Sequence, residues 1–278
     1  MIGDLHCHTR FSDGSLSVDD LVFYAKRAGL DFVAVTDHDT MSGISRAELL
    51  GKRYGIGVIG GVEVSAWDYK RQRRVHLLCY LPANPDRLEG MLKHTIEDRD
   101  KCIRESLKKV MQLFPVTEEH VSRFMKGAPA LYNVHIMLAL MDLGYTDCIY
   151  GDLFQELLSP KGGSCFVPRT YIDVLEAAQI IKSAGGICVL AHPSVYDSIE
   201  IMRELAQAQA IDGIEQFHPR NKDEDAQAIA DIIREYDLIP TGGTDFHGAH
   251  TKIPHPIGTC VTQKASLERL FKLSKARQ

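Results

Sequence analysis

The chain has 278 residues, 45% hydrophobic and 25% charged, with a formal net charge of −5; that is room for one large α/β domain or a barrel with an insertion, in an ordinary globular composition. No apolar run approaches the roughly 20 residues of a membrane-spanning helix, and the negative balance argues against a protein that coats nucleic acid. The chain passes straight into a polar strand, which predicts no signal peptide and a cytoplasmic setting, and seven scattered cysteines without a Cys-x-x-Cys pair suit a reducing compartment.

The first strand is read over residues 1–8 and runs into Asp4-Leu5-His6-Cys7-His8, followed by Ser12-Asp13-Gly14. Residues two apart on a strand share a face, so His6 and His8 aim two imidazoles at one point. Asp13 lies in a turn that can fold a carboxylate back over the strand end. A helix is predicted over 17–28, with Ser17 as N-cap, Asp20 in capping-box position and Gly29 just past its end. The apolar run at 31–36 reads as a buried parallel strand and leads into Thr36-Asp37-His38-Asp39. A helix over 42–54 follows, then strands around Gly57–Val64, carrying Glu63, and Arg74–Tyr80, carrying His76.

Residues 86–165 break the rhythm. A long helical pattern from 86 to 113 stops before Pro115, shorter helices fit 117–126, 130–143 and 149–157, and no strand is evident. We read 1–85 and 166–278 as one catalytic domain and 86–165 as a helical insertion over its site. After the insertion, strands at 186–192, 213–218 and 238–245 alternate with helices at 173–184, 198–209 and 222–236, and a helix at 265–275 closes the chain. Such alternation predicts an α/β fold with a largely parallel sheet of seven strands, as a barrel or an open sheet.

Polar residues gather where these strands stop. His6 and His8 end the first, His38 the second and Glu63 the third; His76 lies within the fourth; His192, His218 and Asp245 end the last three, with His247 just beyond. Strand carboxyl ends form the site in parallel α/β folds, and buried ionisable groups are costly unless paired or bound to metal. The expected donors are His6, His8, Asp13, His38, Glu63, His76, His192, Asp245 and His247. A mononuclear site needs only three or four, so nine imply two or three ions, and imidazole with carboxylate suits Zn, Mn or Fe. Several ions on an anionic substrate suit hydrolysis of phosphate esters.

In their order, Asp-Leu-His-Cys-His-Thr with Ser-Asp-Gly, Thr-Asp-His-Asp, Gly-Val-Glu, the His76 strand, Ala-His-Pro and Gly-Thr-Asp-Phe-His cover the chain outside the insertion. In these motifs the sequence resembles the PHP family, the polymerase and histidinol phosphatase domains. The resemblance implies a distorted seven-stranded (β/α)7 barrel, TIM-like, with three divalent transition-metal ions (Mn, Fe or Zn). It implies one ion on His6, His8, Glu63 and Asp245, a second on Glu63, His76 and His192, and a third on Asp13, His38 and His247, with Asp37 supporting them. Length and insertion look most like the small stand-alone phosphoesterases acting on nucleoside phosphates and related metabolites. In that branch the sixth strand commonly ends in His-Pro, here His218-Pro219, so His218 is expected to bind the phosphate or protonate the leaving oxygen. Arg220 beside it could clamp phosphate.

There is one departure. Members acting on nucleotides often open an insertion helix with Arg-x-His, where this chain has Asn133-Val134-His135. Asn133 then stands in the arginine's place, and Lys161 or Arg169 is expected to supply the missing charge. The expected partner is a small phosphorylated substrate, with no membrane. Nucleic acid would enter only as a short oligonucleotide; that alternative, a nuclease using the same centre, predicts a basic track such as Lys70, Arg71, Arg73 and Arg74. A non-enzymatic metal-binding module is the third reading, disfavoured because every expected ligand is present.

Overall fold

A computed structural model describes all 278 residues. The chain opens with β1 (Ile2–Asp4), α1 (Val18–Arg27), β2 (Phe32–Val35), α2 (Ile44–Tyr54), β3 (Gly57–Asp68) and β4 (Arg73–Tyr80). Four helices follow without a strand: α3 (Asp86–Val110), α4 (Glu118–Ser122), α5 (Asn133–Asp142) and α6 (Asp152–Leu157). The remainder is β5 (Ile172–Asp173), α7 (Val174–Ser183), β6 (Ile187–Leu190), α8 (Ile199–Gln207), β7 (Gly213–Phe217), α9 (Asp223–Glu235), β8 (Ile239–Gly242), β9 (Thr262–Gln263) and α10 (Lys264–Arg277).

Local chemistry sets these boundaries. Ser17 caps α1 by accepting from the Asp20 amide at 3.1 Å, while the Asp20 carboxylate accepts from the Ser17 hydroxyl at 2.6 Å. The helix buries Val18, Leu21, Val22 and Ala25, one face of a 3.6-residue period, and Gly29 follows it with φ +79, a conformation glycine adopts without strain.

Eight strands run in the order β8-β7-β6-β4-β3-β2-β1-β9, and β5 pairs with β3 off this path. The two ends of the sheet curl together: the Leu5 amide donates to the Gly242 carbonyl at 3.2 Å, and Cys7 bridges Phe246 in parallel. The result is a nearly closed, barrel-like α/β sheet. The expected seven strands are joined by two that sequence reading left out, β5 and β9, each of two residues, too short to show a period.

The expectation of a largely parallel sheet needs correction at β4, which runs antiparallel to both β3 and β6. Only four residues separate β3 from β4. A hairpin fits in that space, whereas a parallel crossover needs a dozen or more. Glu63 also does not end its strand. β3 continues to Asp68, beyond the end of β2, so its far half is paired with β4 and bares one face to the cavity.

Inside the barrel, Leu5, Ala34, Ile59, Leu78, Tyr80 and Val189 pack as one buried cluster with Leu267 and Leu270 of α10, and the Tyr80 hydroxyl finds the Leu5 carbonyl at 2.8 Å. The helices after β4 have an apolar cluster of their own, from Ile103 through Leu131, Ile136 and Leu140 to Cys165. Two polar contacts seat it beside the barrel. Tyr132 donates to the His38 carbonyl at 3.1 Å, and Arg99 of α3 pairs with the buried Asp39 that follows β2.

Candidate metal centre and substrate cavity

Strand register brings the expected donors together. Glu63 is fully buried and faces five imidazoles. One carboxylate oxygen lies 2.7 Å from His76 Nδ1 and 2.8 Å from His192 Nε2. The other lies 3.2 Å from both His6 and His8 Nε2, and 3.0 Å from His38 Nδ1. Asp245 Oδ1 is 3.2 Å from His8 and 3.6 Å from His6. Asp13 sits 3.3 Å from His247 and 3.8 Å from His38.

Four groups have donor atoms within 4.8 Å of one another: His6, His8, Glu63 and Asp245; His8, Asp13, His38 and His247; His38, Glu63 and His76; and His6, Glu215 and His218. His192 enters none of these; its imidazole reaches the cluster through Glu63 and its backbone amide through Glu215.

These atoms have the chemistry of metal donors. His6 Nε2, His8 Nε2, His38 Nδ1, Glu63 Oε2, Asp13 Oδ1 and His192 Nδ1 are buried without a hydrogen-bond partner, which proteins otherwise avoid. Burial alone would raise the Glu63 carboxyl, yet His76, His6 and His38 hold it well below the usual carboxylate range. Burial likewise opposes ionisation of Asp13 and Asp245, and their histidine neighbours reverse it. Burial disfavours charge on His8, but Asp245 and Glu63 pull it up to about 10. His76 goes the other way, down to about 3, because burial outweighs Glu63. This donor set fits divalent metal ions.

Other contacts orient these side chains. His6 Nδ1 faces Glu215 at 3.0 Å, leaving Nε2 free. His247 Nδ1 is 2.8 Å from the Asp245 carbonyl, which leaves its Nε2 toward Asp13. Asp37 accepts from the Thr9 amide and hydroxyl, each at 2.7 Å, and from Ser12 at 2.6 Å; it pins the loop between His8 and Asp13. Asp39, His192 and Asp245 adopt positive φ of 57, 25 and 53, strain of the sort that collects at functional sites.

Glu215, in the middle of β7, was missed. It accepts from the His192 amide at 2.8 Å and touches His6. Its one signal was a carboxylate following the buried Gly213 and Ile214 at the start of a strand.

The cluster forms the floor of a cavity of about 630 Å³, large enough for a small metabolite. Asn133, Arg169, His218 and Arg220 line it, as do Arg74, Arg99 and the rim residues His250 and His255. Lys161 does not; on the loop after α6 the neighbouring Pro160 takes the place at the cavity and Lys161 is exposed to solvent. His218 Nδ1 accepts from the Arg220 amide at 3.0 Å, so in the neutral ring the proton sits on Nε2, 3.5 Å from Asp245. Arg220 reaches the same carboxylate at 2.5 Å. Of the basic run beside β4, Lys70 and Arg71 are engaged by Glu204, with Asp68 and Glu200 also on Arg71. Arg73 is engaged by Asp197. Only Arg74 faces the cavity.

A barrel-like α/β sheet with clustered histidines and carboxylates at one cavity floor is the architecture of a metal-dependent hydrolase. The PHP domain model matches residues 4–187, and the chain belongs to that family. It is 34% identical over 257 residues to a phosphoribosyl 1,2-cyclic phosphate 1,2-diphosphodiesterase of Eggerthella lenta, covering 92% of this chain and 97% of that one. It is 32% identical over 255 residues to a 5'-3' exoribonuclease of Haemophilus influenzae, covering 88% and 89%. A solved structure assigned as a metal-dependent phosphoesterase, from Bifidobacterium adolescentis, superposes with a TM-score of 0.88 at 28% identity, over 98% of this chain and 96% of that one. The protein is a metal-dependent phosphoesterase, a hydrolase acting on phosphate ester bonds. No helix is long and apolar enough to cross a membrane.

Proposed function

We propose that the protein hydrolyses a small phosphorylated metabolite, a nucleoside mono- or bisphosphate or a sugar or cyclic phosphate, with three divalent transition-metal ions drawn from Mn, Fe or Zn. The observation that carries this reading is Glu63, one buried carboxylate shared among five imidazoles. His6, His8, Glu63 and Asp245 would hold one ion, Glu63, His76 and His192 a second, and Asp13, His38 and His247 a third. Bound ions would activate water and offset the charge that builds on the phosphoryl oxygens.

The chain's own residues do the rest. His218 offers its Nε2 proton to a phosphoryl oxygen or to the departing alcohol. Because its Nδ1 already accepts an amide proton, its Nε2 is suited to donate rather than to bind metal. Arg220, held against Asp245, is placed to turn onto the anionic substrate as a bidentate clamp. Residues 86–165 act as a cap over the cavity, and Asn133 at the start of α5 faces it with an uncharged amide. The relative from Eggerthella lenta favours a cyclic or sugar phosphate.

A nuclease acting on short oligonucleotides is the second reading, prompted by the relative from Haemophilus influenzae. The carboxylates that neutralise Lys70, Arg71 and Arg73 weigh against it, since a backbone track needs free cations. The test is a screen of Mn-loaded protein against sugar phosphates, nucleoside mono- and bisphosphates, cyclic phosphates and oligonucleotides of graded length, with metal content measured alongside. Turnover of small phosphates with two to three ions per chain is expected. Turnover that rises with oligonucleotide length would replace this reading with the second, and no turnover of any phosphate ester would end both.

A further inference from the structure

Away from the metal donors, three guanidinium groups converge on one wall of the cavity. Arg74 comes from β4, Arg99 from α3, and Arg169 from the segment where the chain returns to the sheet. Aromatic rings hold them in place. Arg74 lies 5.4 Å from the Tyr171 ring and 5.3 Å from that of Tyr196, Arg169 5.6 Å from Tyr171, and Arg99 4.8 Å from Tyr132.

Their charges do not balance. Arg99 is neutralised by Asp39. Neither Arg74 nor Arg169 has a carboxylate within 4.0 Å, and Arg169 Nη1 is buried without a hydrogen-bond partner. The carboxylates that line the cavity, Asp13, Glu63 and Asp245, all belong to the floor. Burial and the like charges of Arg99 and Arg74 push Arg169 down to about 10. Gathering like charges in a shielded wall is unfavourable unless an anion joins them, and two unbalanced guanidiniums match a phosphate dianion in charge and in fork geometry.

We propose that Arg74 and Arg169, backed by Arg99, form a subsite for a second phosphate group of the substrate, one that is held but not cleaved. This rests on the hydrolase reading and narrows it: the preferred substrate carries two phosphates, one over the floor and one on the wall. Arg220, tied to Asp245, serves the group being cleaved.

The test compares kcat/KM of Mn-loaded protein on matched pairs that differ only in the remote phosphate: a nucleoside 3',5'-bisphosphate against the 3'-monophosphate, and a ribose 1,2-cyclic phosphate with and without a 5-phosphate. The wild type is expected to favour the doubly phosphorylated member by about 100-fold, and R74Q or R169Q to cut that ratio by roughly 10- to 100-fold, as befits a lost charge-assisted contact. R169K should restore part of the ratio. A ratio near one in the wild type, or one unmoved in both variants, overturns the proposal. A second arm titrates chelated protein with inorganic phosphate by calorimetry, with melting curves on each variant. Binding that disappears in the folded R74Q/R169Q double variant supports the subsite, and binding that persists unchanged overturns it. If metal-loaded wild type cleaves no member of either pair, the calorimetric arm alone decides the subsite, and the hydrolase reading is decided by the wider screen of phosphate esters.

Discussion

The floor of the cavity and its arginine wall are charged oppositely and held by different means. On the floor, carboxylates are shared among imidazoles, and these side chains are fixed by strand register and, for His247, by a backbone carbonyl. On the wall, cations stand on aromatic faces and come from β4, α3 and the segment before β5. The floor's positions are over-determined by the barrel. The wall depends on how the helices after β4 sit against it, which is where related phosphoesterases can differ in substrate while keeping one chemistry.

Substitutions can break this comparison, beginning with the largest effect. Glu63→Ala removes the carboxylate that five histidines share, so activity should fall by at least about 10³-fold, with loss of more than one metal ion by elemental analysis. Full metal content in that variant would dissolve the picture of a common floor. Asp39→Ala strips the buried Arg99 of its partner and should cost about 3–5 kcal/mol of stability, read from denaturant unfolding. The double variant Asp39→Ala with Arg99→Met should recover part of that loss, since no buried charge is then stranded. Glu215→Gln leaves the nine expected metal donors in place but weakens the hold on His6. Metal affinity should drop by about 10- to 100-fold in a chelator competition, and no change would mean that β7 does not support the floor.

The subtlest effect is one of pH. In the metal-free protein His8 is raised to about 10 from an ordinary value of 6.5. Its contribution to stability is therefore complete below about 6.5 and is lost as pH climbs through about 10. Glu63, Asp13 and Asp245 are depressed, so theirs is present above the ordinary carboxylate range and fades on acidification. Metal uptake should release protons, measurable by calorimetry in buffers of different ionisation enthalpy, and metal should remove most of the alkaline decline in melting temperature. Wild type that takes up metal without releasing protons would contradict the charge assignment of the floor.

The floor was largely legible in the sequence because its histidines and carboxylates sit within or just past the ends of short apolar strands, where a buried polar group is costly unless it is paired or bound to metal. His6, His8, His38, Glu63, His192 and Asp245 each stood out against such a background. Glu215 lies on the strand that leads to His218-Pro219, but it sits inside that strand rather than at its end, so the strand-end pattern does not mark it. The direction of β4 was not legible from periodicity, since a strand buried on both faces reads alike in either direction; the short link between β3 and β4 held that information. The wall was harder. Arg74 was read as part of a charge run, and only the structure separates it from Lys70, Arg71 and Arg73, whose charges are spent on α8 and the segment before it. Arg99 sits on a helix whose pattern resembles any amphipathic surface. Arg169 was singled out for the charge it could restore, and Lys161 for the same reason, yet only Arg169 reaches the cavity.

His6 and Asp245 meet on the floor although almost the whole chain lies between them. The Leu5 amide completes the barrel by bonding the Gly242 carbonyl at the other end of the polypeptide. During synthesis the first two histidines leave the ribosome long before the carboxylate that completes their set. A metal caught early would be held by an incomplete group, and the full centre can assemble only when the last strands have emerged. Metal loading at such a site would therefore follow closure of the barrel rather than precede it, so that occupancy would report on completed folding.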